Sequence, residues 1–202
     1  PSSMPDIPVA IVNTQSRGFP APEAACVAGA AARGLREREP EWVYKKIDSV
    51  LRGPVVAELR AAMDGLGARK TILVPGNPVL GRTVSEGVLR VNGRPIHETL
   101  FSEDPEYPAR SSSVLEVLGA SDDDIRLTSA DGAIPDKGIV VGEAASEADL
   151  RVWAYRTTEP GVLPAGGSSF FAQILEGRGH RIQARESFRL PQDSGTCLWV
   201  NG

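Results

Sequence analysis

Apolar positions in this chain alternate between a strand-like and a helix-like period. Residues 7–13, IPVAIVN, form a β-rich run closed by polar residues and predict a strand. Residues 21–39, APEAACVAGAAARGLRERE, predict a helix with Pro22 and Glu23 at its start and charges at its end. The same order repeats: EWVYKKI (41–47) as a strand, PVVAELRAAMDGL (54–66) as a helix with Pro54 in its first turn, and KTILVP (70–75) as a strongly apolar strand. A β-α-β-α-β series predicts a parallel sheet with covering helices.

After Pro78 the texture changes. GVLRVNGRPIHET (87–99) holds two short extended runs about Asn92-Gly93, a strong hairpin signal. SSSVLEVLG (111–119) then predicts a short capped helix, GIVVGEA (138–144) a strand, and SEADLRVWAYRT (146–157) a helix opened by Ser146 with Asp149 three residues on. GGSSFFAQIL (166–175) predicts a glycine turn into a helix, and the tail from Arg181 follows no clear period. The expected fold class is α/β, a mostly parallel sheet with helices on both faces and a small β-hairpin excursion. Neither a repeat nor a low-complexity linker divides it.

Composition narrows the partners. A chain of 202 residues, 41% hydrophobic, can bury one sizeable core, or one large and one small. The net charge of -4, without a block of like charge, argues against nucleic acid. No apolar stretch approaches the roughly 18 residues of a membrane span, and no signal-peptide pattern opens the chain, so a cytoplasmic protein with no membrane partner is expected. Cys26 and Cys197 lack disulfide or zinc spacing and are expected to be buried small hydrophobes. His97 and His180 lie far apart with no metal-binding context, so no metal site is expected. The chain opens on proline and closes on TCLWVNG, an apolar run entering a glycine turn, which reads as a fragment.

In an open parallel sheet ligands bind outside the carboxyl ends of the strands. Three loops meet that description. NTQSR (13–17) offers the hydroxyls of Thr14 and Ser16 and the guanidinium of Arg17, a fork suited to carboxylate or phosphate; the alternative is a capped loop with a solvated arginine. KKIDSVLRG (45–53) crowds Lys45, Lys46, Asp48, Ser49 and Arg52 just before a helix. Strand alternation turns at least one of these lysines toward a sheet face, where an unpaired ammonium costs several kcal/mol unless a partner such as Asp48, or an anionic ligand, offsets it. A strand-end salt-bridge cluster would account for the same residues. PGNPVLGRTVSEG (75–87) is a proline-stiffened loop with Arg82, either a third wall of a pocket or a rigid connector.

Taken together and in order, YKKIDSVLRG, GRTVSEGVLRVNGRPIHETLFSEDP and SSSVLEVL resemble the amino-terminal domain of the four-carbon acid sugar kinases, the threonate and erythronate kinase family. The resemblance extends from NTQSR to AGGSSFFAQIL. It implies the substrate lobe of a bilobal kinase, which holds a sugar acid (threonate, erythronate or 3-oxo-tetronate) while a second lobe binds ATP with Mg and phosphorylates the terminal hydroxyl. It implies substrate contacts for Arg17, Lys45, Lys46, Asp48, Ser49 and Arg52, with weaker support for Thr14, Ser16 and Arg82. The catalytic residue stays unassigned. The implied partners are a small-molecule sugar acid and ATP, and a homodimer is compatible with them.

Departures from the family pattern accompany the likeness. Residues 1–180 would be the sugar-acid-binding domain without the family's first strand and Asp-rich loop, and residues 181–202 a linker and the first strand of an otherwise absent ATP-binding domain. This chain alone is therefore expected to be inactive. Val50 and Pro54 stand where threonine and asparagine are usual, and PGNP replaces a more apolar PAFP-like pattern, which points to a shifted substrate preference. GGSS (166–169) matches the family's glycine-serine turn, although it is equally readable as a helix cap. His97 is expected to make a structural hydrogen bond rather than serve as a base, and Asp122 to Asp124 to form a solvated turn. The competing reading is a non-catalytic module of the same fold that binds a small hydroxy acid.

Overall fold

The computed structural model of the chain describes residues 9–120 and 124–180. Its centre is a five-stranded, all-parallel sheet formed by β1 (Lys45–Lys46), β2 (Lys70–Val74), β6 (Ile125–Thr128), β7 (Gly138–Gly142) and β8 (Val162–Gly166), in the order β1-β8-β2-β7-β6. A second, antiparallel sheet of β3 (Arg82–Ser85), β4 (Val88–Val91) and β5 (Arg94–Pro95) is the excursion expected from Asn92-Gly93. Both turn residues have positive φ, 51° and 78°, as the two-residue hairpin loop requires.

Side-chain alternation along the strands divides the core in two. Leu73, Ile139, Val141, Ala165 and Ile47 face α2 (Val55–Leu66) and the antiparallel excursion, packing with Val55, Leu59, Val84 and Leu89. Ile72, Val74 and Val140 face α4 (Glu147–Arg156) and α5 (Ser168–Gly177), whose Leu150, Trp153, Phe170 and Ile174 are fully or almost fully buried. Helices thus cover both faces, and α1 (Ala21–Arg36) packs outside α2 through Ala32 and Ala62 over Leu163. The caps read from the sequence are present: Ser146 and Asp149 form a reciprocal capping box on α4, and Ser113 caps the single turn α3 (Val114–Val117).

Several expectations are corrected. Residues 9–13 form no strand; Val9, Ile11 and Val12 are exposed because the run finds no neighbour to pair with among the described residues. The strand expected at 41–47 shortens to Lys45–Lys46, the two residues that pair with Ala165 and Gly166 at the sheet edge. Tyr44 and Trp42 instead stack near Phe171, with ring centroids 4.8 and 5.9 Å away. Strands β6 and β8 were not legible. Pro164 interrupts the apolar run of β8, yet it disturbs nothing: Gly166 turns its carbonyl to Ile47, so Pro164 faces the same side, ahead of the point where β1 begins to pair. Cys26 is exposed rather than buried, because α1 turns Ala24, Ala28 and Ala32 inward and position 26 lies on the opposite side. Cys197, Asp122 and the expected linker at 181–202 lie outside the described residues.

Candidate functional site

The connections leaving β1 and β8 diverge. From β1 the chain passes to α2 on one face of the sheet, and from β8 it passes to α5 on the other, so their adjacent carboxyl ends are the topological position at which open parallel sheets hold a ligand in a crevice. Ser49 on the first loop and Gly167 on the second approach closely; a Cβ placed on Gly167 would be in van der Waals contact with that of Ser49, at 3.8 Å. The Tyr44 hydroxyl donates to the Gly167 carbonyl at 2.7 Å, fixing the entry to α5. Burial raises the Tyr44 pKa well above its ordinary value, which keeps that donor protonated.

The crowded charges sort into spent and unspent. Lys45 shares the face of Ile47 and meets Glu58 of α2, Nζ to Oε2 at 2.5 Å, while the other carboxylate oxygen accepts from the Ser16 hydroxyl at 2.7 Å. The partner of the inward lysine is therefore Glu58, not Asp48. Thr14 lies behind Ser16, its hydroxyl 2.8 Å away, so these two side chains anchor the NTQSR loop. Arg52 is held by three bonds from two carboxylates: Nε and Nη2 to Asp48 at 2.9 and 3.2 Å, and Nη1 to Asp104 at 3.0 Å. Burial works to raise the Asp48 pKa, but the bonds and charge of Arg52, with the charge of Arg17, outweigh it and hold the carboxyl below its ordinary range.

Three cations remain. Arg17, Lys46 and Arg82 have no carboxylate at ion-pair distance among the described residues. Lys46 donates to the Ile47 carbonyl, and burial lowers its pKa; Asp48 opposes the shift, whereas Lys45 and Arg17 add to it. Arg17 is seated by Gly53, whose φ of 91° excludes most side chains and where a Cβ would meet the Arg17 Cγ at 2.9 Å. Its carbonyl accepts from the Tyr107 hydroxyl at 2.5 Å. Arg82 and Arg52 lie 5.9 Å from the centroid of the same Phe101 ring, and the Arg82 Nε is buried without a partner. Neighbouring charges thus bring Arg17, Lys46, Asp48 and Arg52 together, and Phe101 adds Arg82.

Sequence reasoning did not reach Glu58, Asp104, Phe101, Tyr44 or Asn77. Glu58 had a signal: it shares the buried face of α2 with Val55, Leu59 and Ala62, and a charge on such a face requires a partner. The others are brought in by the tertiary fold. Val50 packs in the apolar core, so its replacement of threonine bears on packing. His97 places Nδ1 2.6 Å from the Ser112 hydroxyl, the structural bond expected of it. A cleft of about 370 Å³ lined by Arg36, Pro40, Val43, Leu66 and Leu163 lies at the opposite, amino-terminal end of β8.

A sugar-binding N-terminal domain model matches residues 2–174, nearly the full described length. The chain belongs to this family. Curated relatives of the domain are four-carbon acid sugar kinases. A D-threonate kinase of Salmonella typhimurium is 35% identical over 77% of this chain and 40% of its own length. Another, from Bordetella bronchiseptica, is 34% identical over 95% of this chain and 53% of its own. A D-erythronate kinase of Heliobacterium modesticaldum is 32% identical over 54% of this chain and 25% of its own. The chain therefore spans about half, or less, of the length of these relatives. A Bordetella bronchiseptica crystal structure, described as a domain of unknown function with bound citrate in a domain-swapped dimer, superposes with a TM-score of 0.70 at 31% identity, covering 81% of this chain and 43% of that one. Haemophilus influenzae supplies a further match in fold, TM-score 0.68 at 22% identity over 81% of this chain and 45% of that one.

Proposed function

We propose that this sugar-binding domain is the substrate lobe of an ATP-dependent kinase that phosphorylates the terminal hydroxyl of a four-carbon sugar acid: threonate, erythronate or 3-oxo-tetronate. The observation that supports this reading is a set of three cations, Arg17, Lys46 and Arg82, without a carboxylate at ion-pair distance among the described residues, near a topological switch point of the sheet. A bound carboxylate would remove the mutual repulsion of Lys46 and Arg17 and raise the lowered Lys46 pKa. Arg17 suits that role by its planar fork. Ser49, on the loop that leaves β1, has a hydroxyl to offer the polyol. Asp48, Asp104 and Arg52 form the rigid side of the site, since their charges are used on one another. Lys45 acts through Glu58 to hold the Ser16–Arg17 loop. The acid bound to the Bordetella relative, citrate, also carries carboxylates, and the domain-swapped dimer of that relative is compatible with a homodimer here.

On this reading ATP and its magnesium are held mainly by the second, ATP-binding lobe that the family resemblance implies. Among the described residues no group of three or more His, Cys, Asp or Glu could hold a metal ion, and Asp48 and Asp104 are both committed to Arg52. The contribution of the described residues is orientation: cations fix the carboxylate end of the acid, leaving its terminal hydroxyl to be presented to a phosphoryl donor. The second reading, a hydroxy-acid-binding module without transfer, draws on the same unspent cations and differs only in turnover.

The test is a thermal-shift screen of the intact protein against D-threonate, D-erythronate and 3-oxo-tetronate, followed by ADP release with any acid that stabilises it. Stabilisation with ADP release is expected. Stabilisation without it favours the binding module, and no response from a folded protein refutes both. Arg17→Ala and Lys46→Ala should raise KM by about tenfold or more, as the loss of a charged hydrogen bond implies, and change Tm little. A large fall in Tm with unchanged substrate affinity would return these residues to a structural role.

A further inference from the structure

We propose that Asn77 is a positioning residue: it sets which serine at the start of α5 can donate to the ligand, and so tunes affinity for the sugar acid, whose identity rests on the reading above. Asn77 is 3% exposed at the carboxyl end of β2. Its main chain exchanges two hydrogen bonds with Arg82, at 2.7 and 3.0 Å, closing the loop that carries this uncompensated guanidinium. Its side chain crosses to α5. The amide nitrogen donates to Ser168 Oγ at 3.2 Å, and Oδ1 accepts from Ser169 Oγ at 2.6 Å.

The two serines are left with different chemistry. Ser169 directs its hydroxyl hydrogen at Asn77 Oδ1. Ser168 accepts from Asn77, retains its own hydroxyl proton and is exposed. A hydroxyl fixed in this way is a donor, which suits a carboxylate or polyol oxygen of the bound acid. Gly167, immediately before Ser168, approaches Ser49, so the donor stands beside the loop that leaves β1. One buried amide therefore couples the wall that carries Arg82 to the wall that carries Ser168. An apolar side chain at position 77 would have no groups with which to do this.

Two measurements on the intact protein separate the coupling from the ligand. Without ligand, Asn77→Ala and the milder Ser169→Ala should accelerate amide hydrogen exchange at Ser168–Phe171 by about tenfold relative to α2, the change expected when a local hydrogen-bonded clamp is lost. With D-threonate and D-erythronate, calorimetry should show Kd rising by roughly fivefold to tenfold for Asn77→Ala and Ser168→Ala, the weight of one hydrogen bond, with the rise appearing in KM and kcat nearly unchanged. Unchanged exchange in both clamp variants overturns the coupling. Accelerated exchange with unchanged affinity leaves Asn77 a purely structural residue and overturns the positioning role. If the wild-type protein binds none of D-threonate, D-erythronate and 3-oxo-tetronate, the proposed function and the affinity claim fall together, and the exchange arm still reports on the clamp.

Discussion

Replacing Glu58 with glutamine preserves its shape and removes its charge. Lys45 is then left with 19% side-chain exposure and no carboxylate, while Ser16, 2% exposed, keeps an acceptor. Breaking a fully buried ion pair costs about 3–5 kcal/mol, and a surface pair about 0–1 kcal/mol. With Glu58 itself 11% exposed, this pair lies between those limits, and about 2 kcal/mol is expected for Glu58→Gln. For a domain of this size that corresponds to a fall in Tm of roughly 4–8 °C. The assay is urea unfolding of wild type, Glu58→Gln, Lys45→Met and the double variant. A coupling energy of about 1.5–2 kcal/mol is expected, with the double variant recovering much of the loss because no charge is left stranded. A coupling near zero would refute the assignment of Lys45 to Glu58. So would a large loss of sugar-acid affinity on Lys45→Met in the Glu58→Gln background, since Lys45 would then be acting on the ligand directly.

Two further outcomes follow from the geometry. Gly53→Ala forces a side chain onto a φ of 91° and against Arg17, and should cost about 1–3 kcal/mol in unfolding experiments while weakening acid binding; a neutral effect on both would show that Arg17 is not seated by Gly53. Because the Lys46 pKa is lowered, acid affinity should begin to fall with rising pH below the ordinary lysine range as the ammonium deprotonates, and Lys46→Arg should move that fall upward. The same shift makes charged Lys46 mildly unfavourable to the ligand-free fold: the folded state releases its proton first, so stability from this group rises as pH passes upward through its lowered pKa. An affinity profile identical in wild type and Lys46→Arg would exclude Lys46 from the ligand.

Local pattern was enough for the α/β alternation, the hairpin at Asn92-Gly93, the capping box at Ser146 and the loops where charge gathers, because each depends on neighbours within a few residues. It also placed Lys46, Asp48, Ser49 and Arg52 at a strand end, whereas Arg17 was expected after a strand that residues 9–13 do not form. Only the tertiary structure decided which of these charges are spent. Glu58 claims Lys45 across 13 residues and Asp104 claims Arg52 across 52, pairings that no local pattern encodes. Strand β8 was hidden by Pro164, which is tolerated solely because β1 pairs beyond it. Conversely, residues 9–13 have the composition of a strand and form none, since a strand requires a partner as well as a propensity. The position of the site itself belongs to topology: β1 and β8 lie far apart in the chain and adjacent in the sheet, and their loops leave to opposite faces.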